Sequence, residues 1–168
     1  KSCDAILQAW YGGEAGGQAV ADVLFGDYNP SGKLPITFYK DSSQLPDFED
    51  YSMKRRTYRY MSDPLFPFGY GLSYTSFSIG KAQVNKNKFQ IGEMVDLKIP
   101  VLNTGKRNGT EVVQVYIRKA GDKNGPIKTL KGFQRTKVDA GKSSMVSLSL
   151  PPTAFEFFDR TSGKMMIA

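Results

Sequence analysis

Residues 9–38 read AWYGGEAGGQAVADVLFGDYNPSGKLPITF, and the rest of the chain can be placed from this stretch. Apolar residues at 5–11 predict a buried strand, and four closely spaced glycines after them predict a sharp turn. The spacing of Ala19, Val23 and Leu24 then predicts a helix with one apolar face, which Gly26 is placed to end. A turn over 29–32 leads to a second extended segment, residues 34–38. The pattern is therefore strand, helix, strand.

The same stretch resembles glycoside hydrolase family 3, the β-glucosidases and β-xylosidases. In that family the end of an α/β-sandwich domain has a tryptophan-tyrosine pair, a glycine-rich loop with glutamate, and a helix ending in leucine-phenylalanine-glycine. An asparagine-proline-serine-glycine turn and a leucine-proline pair follow. The matching positions here are Trp10, Tyr11, Glu14 and residues 24–26, 29–32 and 34–35. Two positions depart from the family pattern, because Gly12 replaces a proline and Ala15 replaces an acidic residue.

Two later stretches extend the resemblance. Residues 66–77 read FPFGYGLSYTSF, and the part from Phe68 to Thr75 is similar to the run that precedes a fibronectin type III-like domain in family 3. Residues 58–60 match the tyrosine-arginine-tyrosine of the family. Further matches within the last segment include Asn103, Gly105, Gly109, Glu111, Gln114, Tyr116, Gly132, Phe133 and Asp159.

From residue 77 the chain alternates apolar and polar residues in short runs separated by turns. Seven short strands at turn spacings of about ten residues are typical of an immunoglobulin-like or fibronectin type III-like β-sandwich. The residues expected inside it are Val95, Leu97, Ile99, Val113, Val115, Ile117, Val146 and Leu148. The predicted fold class is mainly β, with this sandwich preceded by a short strand-helix-strand remnant of an α/β domain. The predicted boundaries are 1–40 for the remnant, 41–76 for a linker, and 77–168 for a sandwich whose last strand is truncated.

Composition excludes several kinds of site. The chain has no histidine, which removes serine-histidine and cysteine-histidine catalysis and the usual zinc sites. Cys3 has no partner for a disulfide and is expected to be a small core residue beside the first strand. No metal or cofactor site is expected, and no apolar run is long enough to span a membrane.

The charge of +7 is unevenly distributed, since residues 76–168 hold sixteen basic and seven acidic side chains. A basic domain can indicate nucleic-acid binding. The lysines here fall singly between apolar strand residues, as on solvated sheet faces and protected edges. No nucleic-acid partner is therefore expected.

Residues 39–65 show no regular period and mix charged residues, prolines and tyrosines, which predicts a long loop. Within it, Tyr58 and Arg59 could border the substrate, because aromatic faces stack on sugar rings and a guanidinium bonds hydroxyl groups. The alternative, which we favour, is that the tyrosines anchor a linker between domains.

Glycoside hydrolysis needs two carboxyl groups on either side of the scissile bond. No plausible rigid pair is found, so no catalytic residue is predicted in this chain. Glu14 is expected to satisfy free backbone N–H groups at the helix start. The resemblance implies a nucleophilic aspartate on an N-terminal barrel and an acid/base glutamate upstream of Trp10, both outside these residues. The carboxylates considered and set aside are Glu14, Asp22, Asp47, Glu49, Asp50, Glu111 and Glu156.

The resemblance implies a function for the chain as part of a larger enzyme. That enzyme is a retaining β-glycosidase acting at the non-reducing ends of β-glucosides or β-xylosides, periplasmic or extracellular. The chain's own partners are then the upstream catalytic domains, and alone it is expected to be inactive. The alternative is a stand-alone carbohydrate-binding or adhesion module built on the sandwich.

Overall fold

The computed structural model describes residues 3–159 and 161–167. The predicted α/β remnant and sandwich include positions 1, 2, 160 and 168, which lie outside the described residues. Helix α1 spans Gly16–Phe25 and the short helix α2 spans Thr57–Tyr60, with 3-10 turns at Ser42–Gln44 and Pro152–Phe155. Eight strands lie within the described residues. They are β1 (Phe77–Ile79), β2 (Gln83–Val84), β3 (Val95–Asn103), β4 (Gly109–Ile117), β5 (Thr129–Val138), β6 (Ser143–Leu150), β7 (Glu156–Asp159) and β8 (Lys164–Ile167).

Strand β3 is the centre of the first sheet. It pairs antiparallel with β6 along eight residues, and β1 and β2 share its other edge. Strands β4 and β5 form a second antiparallel pair with a bulge between Val115 and Tyr116, and β7 pairs with β8 in a hairpin. The prediction of a mainly β fold with a fibronectin type III-like sandwich is confirmed.

The core lies between the two sheets because the strands alternate in burial. In β3 the odd-numbered residues from Val95 to Val101 are buried, and those between them face outward or are partly covered. This is the period of two expected for a strand with one face against a core. Five of the eight predicted core residues are buried, and Val115, Ile117 and Leu148 are partly buried against the same cluster.

The N-terminal segment is less regular than the sequence predicts. Helix α1 is confirmed and ends at Gly26, whose φ of 83° is the left-handed conformation expected of a glycine cap. The strand predicted at 5–11 is wrong: these residues form no strand and are exposed. A strand needs a neighbour to satisfy its backbone, and none lies beside this segment in the described structure. Cys3 is likewise exposed rather than in a core.

The second predicted strand, residues 34–38, makes one bridge, between Phe38 and Phe66. Instead of joining a sheet, it lies alongside the segment 66–70. Leu34 N–H donates to Tyr70 O at 2.8 Å, and Gly69 N–H donates to Leu34 O at 2.7 Å. The long loop predicted at 39–65 holds only a 3-10 turn and helix α2. None of the described helices is long and apolar enough to cross a membrane.

Candidate functional site

Long-range side-chain hydrogen bonds are concentrated at the junction, which we define as the contact between residues 29–34, residues 66–75 and the sandwich. The segments 29–34 and 66–75 both lie against the ends and outer surface of β4 and β5. The junction is built from buried or half-buried polar groups, which fix a geometry more specifically than apolar contacts do.

Asn29 connects all three parts of the junction. Its Nδ2 donates to the carbonyl of Asn108 at 2.9 Å, in the loop between β3 and β4. Its Oδ1 accepts from Ser73 Oγ and from the backbone N–H of Tyr74, both at 2.8 Å. The Tyr74 hydroxyl in turn donates to the carbonyl of Val23 in helix α1 at 2.7 Å. The turn after α1 is thereby fixed to the linker and to the sandwich by one side chain.

Asn103, the last residue of β3, connects the linker to the sandwich through its side-chain amide. It is fully buried, and its Nδ2 donates to the carbonyls of Arg107 at 2.8 Å and Val138 at 2.9 Å. Its Oδ1 accepts from Thr75 Oγ1 at 2.7 Å and from Gly105 N–H at 3.0 Å. All four hydrogen-bonding positions of the amide are filled, so the group is buried without an unsatisfied atom.

Two charged contacts add to the junction. Lys33 Nζ lies 2.9 Å from Glu111 Oε1, and the side chains are only 17% and 12% exposed. Lys33 also donates to the carbonyl of Gly71 at 3.0 Å, and Glu111 Oε1 accepts from Val112 N–H at 2.7 Å. Arg135 of β5 donates to the hydroxyl of the buried Ser31 at 2.9 Å. The Lys33–Glu111 ion pair is largely removed from water, and it is stabilising only because the hydrogen bonds to Gly71 and Val112 accompany it.

Close backbone approach explains one glycine of the junction. A Cβ atom on Gly71 would collide with the carbonyl oxygen of Gly32, whereas a Cβ on Gly32 would meet nothing within 4 Å. The two segments can therefore pass each other only because position 71 lacks a side chain.

We expect Gly71→Ala to separate the two segments and to lower the free energy of unfolding by about 1–3 kcal/mol, the usual cost of overpacking. Gly32→Ala is the matched control, and its effect should stay within about 1 kcal/mol of wild type. Urea denaturation followed by circular dichroism measures both variants. Equal stability of the two would show that the Gly71 contact is not needed.

The Tyr58 ring packs against two other aromatic side chains. It stacks on Phe68 with the ring centroids 4.2 Å apart and meets Tyr116 edge-on at 6.1 Å. Its hydroxyl accepts from Leu130 N–H at 3.1 Å, and the Arg59 carbonyl accepts from Ile127 N–H at 2.7 Å. One face of Tyr58 is thus covered by protein, which favours the anchoring role over sugar stacking.

Tyr116 continues this contact on β4. Burial raises the pKa of the Tyr116 hydroxyl, and the neighbouring Tyr58 adds to the shift. The hydroxyl therefore remains a donor at neutral pH and bonds Gln114 Oε1 at 2.5 Å, while Gln114 Nε2 donates to the carbonyl of Gly69 at 3.1 Å. These bonds orient Gln114 toward the linker.

An open cleft of about 550 Å³ lies along the junction, between residues 28–35 and the outer surface of β4 and β5. Its lining includes the apolar residues Val23, Leu34, Phe68 and Phe133 and the charged residues Lys33 and Arg135. No carboxylate among the described residues lines it. A smaller cleft of about 400 Å³ beside it contains Glu111, whose carboxylate is already paired with Lys33. Neither cleft offers the two opposed carboxyl groups that glycoside hydrolysis requires.

Comparison with known families accounts for both parts of the molecule. The model of the glycosyl hydrolase family 3 C-terminal domain matches residues 1–74, and that of the fibronectin type III-like domain matches residues 111–168. The chain belongs to glycosyl hydrolase family 3. The resemblance seen in the sequence is thereby confirmed.

Family 3 relatives match nearly the whole chain. A xylan 1,4-β-xylosidase of Xylanibacter ruminicola is 56% identical over 98% of this chain and 19% of its own length. A periplasmic β-glucosidase of Salmonella typhimurium is 38% identical over 95% of this chain and 23% of its length. The solved structure of a β-glucosidase from Erythrobacter marinus superposes with a TM-score of 0.76 at 39% identity, over 91% of this chain and 21% of that one. The chain thus spans about a fifth of the length of these relatives.

The carboxylates of this family 3 chain outside the junction have ordinary surroundings. Glu14 is exposed, and helix α1 has no side-chain cap, so the capping role predicted for Glu14 is wrong. Asp22 accepts from Gln18 Nε2 at 2.5 Å within the helix. Asp47 and Asp50 accept from backbone N–H groups two residues on, in local turns. Hydrogen bonds from Ser52 lower the pKa of Asp50, so it stays ionised at neutral pH and is unsuited to act as a general acid.

Sequence reasoning missed the residues that hold the junction together. The sequence marks Asn29 and Asn103 only as turn or family-match residues and assigns no role to Lys33, because an amide or an amine at a turn has no periodic signal. A clue was available in Gly105 and Gly109. A Cβ on either would press on Thr75, which shows that the linker lies directly on this end of the sandwich.

Proposed function

We propose that the chain is the C-terminal part of a retaining β-glycosidase that cleaves β-xylosides or β-glucosides at their non-reducing ends. The observation that carries this is the 56% identity over 98% of the chain with a xylan 1,4-β-xylosidase. The relative named as a periplasmic β-glucosidase is less similar, at 38% identity, so we propose a β-xyloside as the first substrate to test. The family match over residues 1–74 favours this function over a stand-alone sugar-binding module.

The chain's own part in that enzyme is structural. The junction fixes the end of an α/β domain to the sandwich through Asn29, Asn103 and the Lys33–Glu111 pair. We propose the boundaries 1–40, 41–76 and 77–168 for the α/β part, linker and sandwich, and we propose that residues 58–60 anchor the linker. The catalytic carboxylates then belong to upstream domains that the junction helps to position. In such sites a displacement of about 1 Å can cost 10²-fold in rate.

A periplasmic or extracellular location is also part of the proposal. Its support is the relative named as a periplasmic β-glucosidase. Fractionation of cells that express the whole polypeptide would test it, with cytoplasmic retention as the contrary outcome.

Activity assays on two polypeptides test the proposed function. The full-length protein should release p-nitrophenol from aryl β-xyloside, and from aryl β-glucoside more slowly, whereas residues 1–168 alone should release none above background. Loss of both catalytic carboxyls leaves neither nucleophile nor acid, and acid–base help alone is worth roughly 10²–10⁴-fold. Turnover by residues 1–168 that Glu14→Gln or Glu49→Gln abolishes would mean that the active site lies here. No turnover by the full-length protein would overturn the proposal.

A further inference from the structure

Arg59 is a half-buried cation that lacks a partner in the described structure. Its Nε is buried without an acceptor, and no carboxylate within residues 3–159 and 161–167 pairs with its guanidinium. Its one side-chain interaction there is with the Tyr60 ring, whose centroid lies 5.8 Å from Cζ, near the outer limit for a cation–π contact. A buried N–H group without an acceptor is costly, so the position of the Arg59 Nε indicates an acceptor from outside the described residues.

The segment before Arg59 also has exposed aromatic side chains and strained backbone that no contact within the described residues explains. Phe48 and Tyr51 are 91% and 90% exposed, although both are large aromatic side chains. Arg55 and Thr57 have φ values of 61° and 53°, which non-glycine residues rarely adopt and a β-branched residue tolerates poorly. Such strain persists only where surrounding structure imposes it. Exposed aromatics, strained backbone and an unpaired arginine thus lie within residues 48–59.

The other side of this segment is already an interface. Tyr58 packs on Phe68 and Tyr116, and the Arg59 carbonyl accepts from Ile127, so the backbone at 58–59 is fixed against the sandwich. The Arg59 side chain therefore belongs to a rigid support. Arg56 has a buried Nε without an acceptor too, but its Nη2 donates to the carbonyls of Asp50 and Asp47, whereas the Arg59 guanidinium has no hydrogen bond within the described residues.

We propose that residues 48–59 form a docking surface for an upstream domain of the same polypeptide, and that Arg59 binds an aspartate or glutamate of that domain. This rests on the proposed function, which requires the longer polypeptide. The relatives carry about four fifths of their length outside the region matched here, and this additional chain supplies a domain that can cover residues 48–59. A carboxylate is the partner because it accepts two parallel N–H bonds from a guanidinium and neutralises its charge, whereas a sugar hydroxyl does not.

Limited proteolysis with chymotrypsin tests the docking surface, with cleavage after Phe48 and Tyr51 measured by mass spectrometry. Both bonds should be cut quickly in residues 1–168 alone and slowly in the full-length protein. Arg59→Gln should accelerate cleavage of the full-length protein about tenfold, because proteolysis follows the population of the undocked segment. Arg59→Gln should leave the rate in residues 1–168 unchanged. Arg118→Gln, a change in an exposed arginine of the sandwich, is the matched control and should have no effect in either protein.

Each other outcome contradicts the proposal. Faster cleavage of residues 1–168 by Arg59→Gln would place the partner within this chain, and unchanged cleavage of the full-length variant would mean that no carboxylate is bound. A tenfold rise in KM for an aryl glycoside with unchanged protection would assign Arg59 to the sugar. Failure of the proposed function is read separately, from absence of turnover by the wild-type full-length protein.

Discussion

Val101→Asp is expected to leave the sandwich unfolded at room temperature. Val101 is 0% exposed within β3, where it pairs with Ile79 on one side and Ser144 on the other. An unpaired buried carboxylate costs several kcal/mol, which is comparable with the roughly 5–15 kcal/mol that stabilises a typical domain. Far-ultraviolet circular dichroism with thermal and urea unfolding would show the loss of the cooperative transition.

The neighbouring residue provides the control for this prediction. Leu102 is 39% exposed and points away from the core, because successive residues of a strand face opposite sides. Leu102→Asp should therefore change the free energy of unfolding by no more than about 1 kcal/mol. Val115→Asp should fall between the two, since Val115 is partly buried. A cooperative transition at the wild-type temperature in Val101→Asp would contradict the core described above.

The sandwich was predictable because its signal is periodic. Alternation in β3 and β6 marks the buried face of each strand, and one register satisfies both strands. The helix was predictable for a similar reason, with Gly26 as its end. The segment 5–11 shows the limit of this reasoning. Its apolar run predicts a strand, but a strand forms only beside another strand, and sequence alone does not say where that neighbour is.

The junction was not predictable, because its geometry depends on contacts between residues far apart in the chain. Lys33 and Glu111 are 78 positions apart, as the numbering shows, and either could have been a solvated surface charge. For Tyr58 the favoured interpretation was an anchor of the linker; this stays a prediction, with which the stacking of its ring on Phe68 agrees. Phe68, its stacking partner, lies in the run 66–77, whose alternating aromatics and glycines predict close packing without naming the partner.

Asn103→Ala is expected to lower the free energy of unfolding by about 3–5 kcal/mol and to release the linker from the sandwich. The substitution removes four hydrogen bonds and leaves the Thr75 hydroxyl, the Gly105 N–H and the carbonyls of Arg107 and Val138 without this partner. Each such group costs about 1–3 kcal/mol when buried, although groups near the loop regain water. Asn108→Ala, which removes one side-chain bond to Ala140 N–H, should cost only about 0.5–1.5 kcal/mol.

Amide hydrogen exchange distinguishes this role of Asn103 from a simple packing defect. The Thr104 N–H and the Tyr74 N–H bond the carbonyl of Ser76 and the side chain of Asn29, on either side of the Thr75 contact. In Asn103→Ala both amides should exchange faster by more than the global loss of stability explains, because the junction opens locally before the sandwich unfolds. Amides at the far end of β3, such as that of Leu97, should follow the global transition alone. Uniform acceleration along the whole of β3 would mean that Asn103 stabilises the sandwich without holding the linker to it.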